Sequence, residues 1–177
     1  MFVLMPPNNL DEVALVQLEE RHAEELFAVT DANRASLQEY LPWVAGTRSP
    51  QDSLAFIRLA RREVAEGAAV HVGIFVGGRL AGHASLMSIV PGHQGEIGYW
   101  LATEVAGRGV ATRAVQALVD HALNELGLRR LLIRVRVGNT RSSAVARRLG
   151  FQLEGTARGE ELHDNQLHDL EHYALLR

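Results

Sequence analysis

The chain has 177 residues and a formal charge of −3 with neutral histidines; the length favours one domain, and the charge argues against a partner bound through nucleic-acid phosphates. It contains no cysteine, which excludes disulfides, thiolate metal sites and a cysteine nucleophile. No apolar run approaches the roughly 20 residues of a membrane span, and the N-terminal segment lacks the basic region of a signal peptide. We therefore expect a cytoplasmic, single-domain protein over residues 1–177 that has no membrane partner.

The first part of the chain predicts one strand followed by helices. Hydrophobic spacing predicts a strand over residues 11–18 and helices over residues 19–29, 33–40 and 49–66. Pro42 ends the second helix, because the residue before a proline is pushed out of the α region. Ser49 is the predicted N-cap of the third helix, with Pro50 in its first turn and Gly67 at its end.

From residue 70 onward, strands and helices alternate. The predicted strands cover residues 70–76, 80–89, 96–102, 131–137, 152–158 and 169–176, and the predicted helices run from about residue 112 to Gly127 and over residues 140–148. Gly77 and Gly78 fit a two-residue hairpin, whose turn requires positive φ. The hairpins favour a mixed sheet over an all-parallel one, so we predict the α/β class.

One glycine-rich turn has the features of a phosphate site. A predicted strand leads into Gly107-Arg108-Gly109-Val110-Ala111, and a helix begins directly afterwards. Unpaired amides and the positive end of the helix dipole bind phosphate there without lysine, which this chain lacks entirely. A turn that merely links strand to helix is the alternative. The segment has no Walker lysine and no third glycine for a dinucleotide fingerprint.

Further segments fall in a fixed order around this turn. They are Leu80-Ala81-Gly82, Glu96-Ile97-Gly98-Tyr99-Trp100-Leu101, Val137-Gly138-Asn139-Thr140-Arg141-Ser142, Arg147-Arg148-Leu149-Gly150-Phe151, Glu154-Gly155, His168-Asp169 and Tyr173. The ordered set resembles the GNAT superfamily of acetyl-CoA-dependent N-acetyltransferases from about Asp11 to Arg177. Within it, the chain is similar to the RimJ/RimL branch, which acetylates N-terminal amines of ribosomal proteins. The resemblance implies the GNAT fold: a mixed central β-sheet, splayed in the middle, with helices on both faces.

The resemblance also implies acetyl-CoA as acetyl donor and identifies the residues expected to bind it. The pyrophosphate-binding positions match Ala106, Gly107, Arg108, Gly109, Val110, Ala111 and Thr112; the pantetheine positions match Trp100, Leu101, Ala102, Thr103, Asn139 and Ser142. Two positions depart from the family pattern, since Ala106 replaces a usual Gln or Arg and Val110 replaces a common aromatic residue. Both departures keep the backbone amides, so we expect weaker side-chain support and retained binding.

Direct attack by the amine in a ternary complex needs a proton donor, an oxyanion donor and a route for the amine proton. Ser142 is the expected donor to the departing thiolate, because the stretch that carries a tyrosine acid in some relatives is Arg147-Arg148-Leu149 here. A backbone N–H near Leu101 or Ala102 would hold the oxyanion. Glu96 is the first candidate base, with an exposed strand carboxylate as its alternative. Glu161 is the second, expected on a loop between the closing strands.

The acceptor is the least determined part of the reaction. Tyr99, Tyr40 and Trp43 are candidate walls of its slot, and core packing is the alternative for each. The expected acceptor is a protein N-terminal α-amine, with a polyamine or an aminoglycoside as a small-molecule alternative. An acyl-CoA-binding sensor without turnover is the alternative from another class. A homodimer is one of the oligomeric forms that the sequence allows.

Two clusters of charged residues are interpreted as structural features and not as binding sites. His163, His168 and His172 with Asp164 and Asp169 resemble metal ligands, but strand residues four apart stand roughly 13 Å apart, so we predict no metal site. The arginines at positions 129, 130, 134 and 136 predict a solvated edge, with the adenosine 3′-phosphate as an alternative partner.

Overall fold

A computed structural model describes residues 3–5 and 13–177. The strands are β1 (Val3–Met5), β2 (Val13–Val16), β3 (Val70–Val76), β4 (Arg79–Val90), β5 (Gln94–Leu101), β6 (Arg130–Arg136), β7 (Gln152–His163) and β8 (Gln166–Leu176). The helices are α1 (Ala23–Ala32), α2 (Arg34–Gln38), α3 (Pro50–Ala65), α4 (Val110–Asp120) and α5 (Thr140–Arg148).

The strands form one eight-stranded sheet in the order β1-β2-β3-β4-β5-β6-β8-β7. Every neighbouring pair is antiparallel except β5 and β6, which run parallel. These two strands pair only where Gln94, Gly95 and Glu96 meet Arg130, Leu131 and Leu132. Beyond Glu96 both strands continue without pairing to each other, so the sheet opens in its middle. The predicted splayed mixed sheet is confirmed.

Two apolar clusters cover opposite faces of the sheet, because successive strand residues point to opposite sides. On β3, Val72 and Ile74 belong to the cluster that also contains Leu118 and Val115 of α4. The opposite cluster joins Ile57 of α3 with residues of α1, β4 and β5, among them Leu26, Leu80 and Trp100. The splay of β5 and β6 therefore lies between helices on both sides of the sheet.

Several predicted elements are confirmed and some boundaries differ. The hairpin at Gly77 and Gly78 has the positive φ values expected, 57° and 75°, and the helix over residues 140–148 is reproduced as predicted. The first predicted helix instead opens with a 3₁₀ turn, Glu20–His22, and α1 then runs to Ala32. The predicted first strand is observed as Val13–Val16, and residues 11 and 12 lie outside the described part of the chain.

Ser49 is the N-cap of α3 as predicted, although its hydroxyl donates to the Asp52 carboxylate at 2.8 Å instead of accepting from the helix. The predicted ends of the last two strands need correction. The closing strands are longer than predicted and meet at a two-residue turn, Asp164 and Asn165, both with positive φ. Among the described residues, no helix combines the length and apolar character needed to span a membrane.

Candidate active site

A cleft of about 720 Å³ occupies the splay between β5 and β6. Its walls come from the end of β5, the turn and start of α4, the start of α5, and α2 with the residues after it. The lining residues are Ser36, Leu37, Tyr40, Leu41, Tyr99, Trp100, Leu101, Thr103, Val105, Ala106, Gly107, Gly109, Val110, Ala111, Thr112, Asn139, Arg141, Ser142, Ala144, Val145 and Arg148. Distant parts of the sequence thus meet where the sheet opens.

The start of α4 forms one end of the cleft. Gly109 is its N-cap in the left-handed conformation, with φ of 74°, and Gly107 has φ of 77°. The amide of Arg113 is the first in α4 to bond back, to the Gly109 carbonyl at 3.1 Å. The three preceding helix amides therefore have no intrahelical acceptor, and they lie at the cleft wall. This end of the cleft has the character of an anion site.

Arginine side chains surround a smaller cavity of about 420 Å³ beside this helix start. Arg108, Arg113 and Arg148 line it together with Gly107, Gly109 and Thr112. Arg148, on α5, donates to the Thr112 hydroxyl at 3.0 Å and also lines the main cleft. The two cavities therefore adjoin, and positive charge accumulates where the α4 dipole is positive.

The backbone N–H and C=O groups of successive β5 residues point alternately toward β4 and toward the splay. The Ala102 amide donates to the Ala81 carbonyl at 2.7 Å, so it is already satisfied. A Cβ on Gly82 would lie 2.2 Å from the Trp100 carbonyl oxygen, so that carbonyl also faces β4. Because strand backbone groups alternate in direction, the N–H of Leu101 faces the opened side. Of the two expected oxyanion donors, the geometry favours Leu101 over Ala102.

Ser142 and Tyr99 meet across the cleft. Their hydroxyl oxygens are 2.9 Å apart, although β5 carries one residue and α5 the other. Asn139 is the N-cap of α5, and its side-chain oxygen accepts from the Ser142 amide at 3.2 Å. Burial raises the pKa of Tyr99, and the hydrogen bond with Ser142 opposes that rise. The helix is therefore capped by Asn139, which leaves the Ser142 hydroxyl in the cleft.

The other end of the cleft is built by α2 and the segment after it. Tyr40 lines this end, whereas Trp43 does not; Trp43 is 44% exposed, and its ring lies 5.9 Å from the ring of Trp100. The Asn33 side-chain oxygen accepts from the amide and the hydroxyl of Thr103, both at 2.9 Å. These two hydrogen bonds connect the α1–α2 junction to the end of β5.

Neither candidate base lines the cleft. The Glu96 carboxylate accepts from Arg134 at 2.9 Å, beside the last paired residues of β5 and β6. The expected loop position of Glu161 is wrong: the residue lies within β7 opposite His168, because β7 and β8 continue as a paired hairpin. Its carboxylate accepts from Arg136 at 2.8 Å.

Arg136 connects Glu161 to the cleft wall. Its guanidinium lies 5.9 Å from the Tyr40 ring and donates to the Glu39 carbonyl, while it also contacts His163. The side chain of Arg136 is only 9% exposed, so most of the guanidinium is buried against these neighbours. Glu161 is thereby joined to the acceptor-side wall through one residue, and Glu96 has no such link among the described contacts.

Two further arginines of the predicted basic stretch lie in ion pairs. Arg130 binds Glu154, and Arg134 bridges Glu96 and Glu160, so these arginines line neither cavity. Within residues 3–5 and 13–177, no cluster of three or more His, Asp or Glu side chains has the geometry of a metal site. Arg148 was not predicted as a cleft residue, because its place beside the α4 turn depends on how α5 packs.

The chain is similar to known acetyltransferases over most of its length. Residues 12–152 match the family described as "Acetyltransferase (GNAT) domain". YdaF of Bacillus subtilis (strain 168) is 34% identical over 170 residues, covering 94% of this chain and 92% of YdaF. The ribosomal-protein-serine acetyltransferase of Escherichia coli (strain K12) is 32% identical over 165 residues, covering 93% and 92%.

Two solved structures superpose over nearly the whole chain. RimL, a ribosomal L7/L12 α-N-protein acetyltransferase in complex with coenzyme A, has a TM-score of 0.92 at 30% identity and covers 99% of this chain and 98% of its own. The microcin C7 self-immunity acetyltransferase MccE, in complex with acetyl-CoA and AMP, has a TM-score of 0.91 at 26% identity and covers 98% of each chain.

Proposed function

Because this chain belongs to the GNAT acetyltransferase family and is an N-acetyltransferase, we propose that it transfers acetyl from acetyl-CoA to the α-amine of a protein N-terminus. The observation that carries the proposal is the cleft in the splay, which joins an anion site at α4 to a tyrosine-lined slot through Ser142. The ribosomal-protein acetyltransferases among the similar proteins support the choice of acceptor.

The donor is held by its phosphates and by its pantetheine arm. The amides at the start of α4 bind the diphosphate, and Arg108 and Arg148 supply positive charge on the same side. The pantetheine arm pairs with the free backbone edge of β5 as an added strand would, along Trp100 to Thr103. Asn139 lies where this arm ends, beside Ser142.

The thioester then lies between β5 and α5. The amine attacks its carbonyl carbon, and the Leu101 N–H stabilises the oxyanion of the tetrahedral intermediate. When the intermediate collapses, the carbon–sulfur bond breaks and Ser142 donates its hydroxyl proton to the sulfur. No covalent acyl-enzyme is needed, in keeping with a chain that lacks cysteine.

Of the two candidate bases, Glu161 is better placed to act through water. Arg136 joins its carboxylate to Tyr40, which lines the acceptor end of the cleft. Glu96 lies at the closed end of the splay, where β5 and β6 still pair and Arg134 holds its carboxylate. We therefore assign the role of water-assisted base to Glu161 and a structural role to Glu96.

Incubation with acetyl-CoA and a panel of amines tests the function through release of free thiol. The panel contains N-terminal peptides of ribosomal proteins, polyamines, aminoglycosides and an aminoacyl nucleotide, the last because MccE is bound to AMP. We expect turnover with N-terminal peptides, and mass spectrometry of a peptide library then identifies the acetylated residue. Faster turnover with a small amine would replace the proposed acceptor. Binding of acetyl-CoA without thiol release for any amine would indicate a sensor.

The proposal carries two consequences for the cell. An enzyme acting on newly made ribosomal proteins would work in the cytoplasm, where these proteins and acetyl-CoA are both present. A homodimer would place two clefts in one particle, and sedimentation of the purified chain across a concentration series measures whether it forms.

A further inference from the structure

The hydroxyl pair of Tyr99 and Ser142 is built from two elements that meet only in the folded protein. Tyr99 lies on β5 on one side of the splay, and Ser142 lies in the first turn of α5 on the other side. Their oxygens are 2.9 Å apart at the wall of the cleft. A hydrogen bond across the opening brings the phenol to the atom that is assigned to protonate the sulfur.

The chemistry of the two groups indicates which one donates. Burial raises the pKa of the Tyr99 phenol, so the phenol keeps its proton near neutral pH. A phenol is a stronger hydrogen-bond donor than an aliphatic alcohol, and the Ser142 oxygen has two lone pairs to accept with. When Tyr99 donates to Ser142, the hydrogen of Ser142 remains free to point elsewhere, and the open side is the cleft.

We propose that Tyr99 is a positioning residue for the thiol-forming step: its hydroxyl donates to the Ser142 oxygen and turns the Ser142 hydrogen toward the departing sulfur. This inference rests on the proposed function, because it needs a thioester whose sulfur lies beside Ser142. Asn139 supports the same arrangement, since it holds the Ser142 amide and so fixes the first turn of α5.

The step balances in protons and electrons. Collapse of the intermediate breaks the carbon–sulfur bond, and its electron pair goes to sulfur, which takes the proton of Ser142. The negative charge left on the Ser142 oxygen is stabilised by the hydrogen bond from Tyr99. The acetylated nitrogen carries one surplus proton, which passes through water to the Glu161 carboxylate and from there to the Ser142 oxygen, so that both the carboxylate and the hydroxyl are restored.

A double-mutant cycle tests the inference in the full chain with the acceptor peptide that the wild-type protein acetylates. We expect Tyr99→Phe to lower kcat about 5- to 30-fold with little change in KM for the acceptor or in CoA affinity. We expect Ser142→Ala to lower kcat about 10- to 1,000-fold. In the Ser142→Ala background, Tyr99→Phe should have almost no further effect on kcat, because the group it positions is gone.

Tyr173→Phe is the matched control. Tyr173 is a fully buried tyrosine whose hydroxyl donates to Glu171 at 2.9 Å, and it does not line the cleft. This variant should keep kcat within about twofold even where its melting temperature falls. Tyr99→Met, a second side chain without a hydroxyl, is measured in the same cycle if the phenylalanine variant does not fold.

Each outcome has one interpretation. An unchanged kcat in folded Tyr99→Phe, or losses that multiply in the double variant, would overturn the positioning role while wild-type turnover still supports the acetyltransferase. No thiol release from the wild-type protein with any amine would instead overturn the proposed function itself. The expected result is a loss of kcat for each single variant and no added loss for the pair.

Discussion

Gly109 combines backbone strain with a place at the proposed phosphate site. Its φ of 74° is unfavourable for any other residue, and a Cβ there would meet no protein atom within 4 Å, so it would project into the space assigned to the diphosphate. We expect Gly109→Val to weaken CoA binding at least tenfold, as measured by calorimetry, with the protein still folded.

Gly78 is the control for this substitution. It has φ of 75° and equally open surroundings, but it lies in the turn between β3 and β4. Gly78→Val carries similar strain and should leave CoA affinity unchanged. Equal affinities for both variants and the wild type would remove the glycine turn from the cofactor site.

Gly82 shows the opposite situation, a residue with no space for a side chain. A Cβ at this position would lie 2.2 Å from the Trp100 carbonyl oxygen, so β4 and β5 would have to separate. We expect Gly82→Ala to lower the free energy of unfolding in urea by about 3 kcal/mol. Gly98→Ala, on the neighbouring strand, meets the flexible end of Met87 at 3.2 Å and should cost less than about 1 kcal/mol. Similar losses for both variants would show that the close approach is not needed.

At the scale of elements, strand β6 presents two arginines, and each holds one candidate base. Arg134 binds Glu96 and Arg136 binds Glu161, but only Arg136 also contacts the cleft wall, at Tyr40. Because Glu161 is the candidate base that Arg136 links to the acceptor side of the cleft, we expect Glu161→Gln to lower kcat/KM for the acceptor about 100-fold and to change its dependence on pH. The measurement is kcat/KM against pH at saturating acetyl-CoA.

Glu96→Gln serves as the comparison, because it also removes one carboxylate charge that is paired with an arginine of β6. We expect its pH profile to follow that of the wild type, with a rising limb of the same shape. A profile altered in Glu96→Gln and normal in Glu161→Gln would return the base to Glu96.

At the scale of the whole molecule, a buried histidine couples stability to pH. His83 is packed between the rings of His71, at 5.4 Å, and Phe56, at 5.2 Å, and burial lowers its pKa to about 3. The unfolded chain binds a proton at this residue near pH 6.5, whereas the folded chain does not until about pH 3. The stabilisation is therefore complete above pH 6.5 and is lost as the pH falls toward 3.

This coupling can be measured between pH 7 and pH 5, above the range in which carboxylates titrate. The shift in the pKa of His83 costs about 2 kcal/mol of unfolding free energy at pH 5. In urea unfolding, the free energy of unfolding should fall between pH 7 and pH 5 by about 2 kcal/mol less in His83→Leu than in the wild type. Equal pH dependence in both proteins would show that His83 accepts a proton in the folded state.

The sequence determined several local elements of this protein and the glycine-rich turn before α4. Glycines at positive φ mark turns whatever surrounds them, so the hairpin at Gly77 and Gly78 and the turn before α4 were predictable. The helix over residues 140–148 was predictable because Gly150, which has φ of 84°, closes it, and Asn139 caps its start through its side chain. The order of these motifs also indicated the family, which the comparisons then showed.

The tertiary structure alone decided which side chains share the cleft. Glu161 has no local signal for strand or loop; it lies in β7 because β8 pairs with that strand up to the turn at Asp164 and Asn165. Arg148 reaches the start of α4, and Tyr99 reaches Ser142, only because β5 and β6 separate after three paired residues. Such contacts join positions 36 and 43 residues apart. Pattern along the chain carries no information on them, because they depend on how the sheet opens and how α5 packs against it.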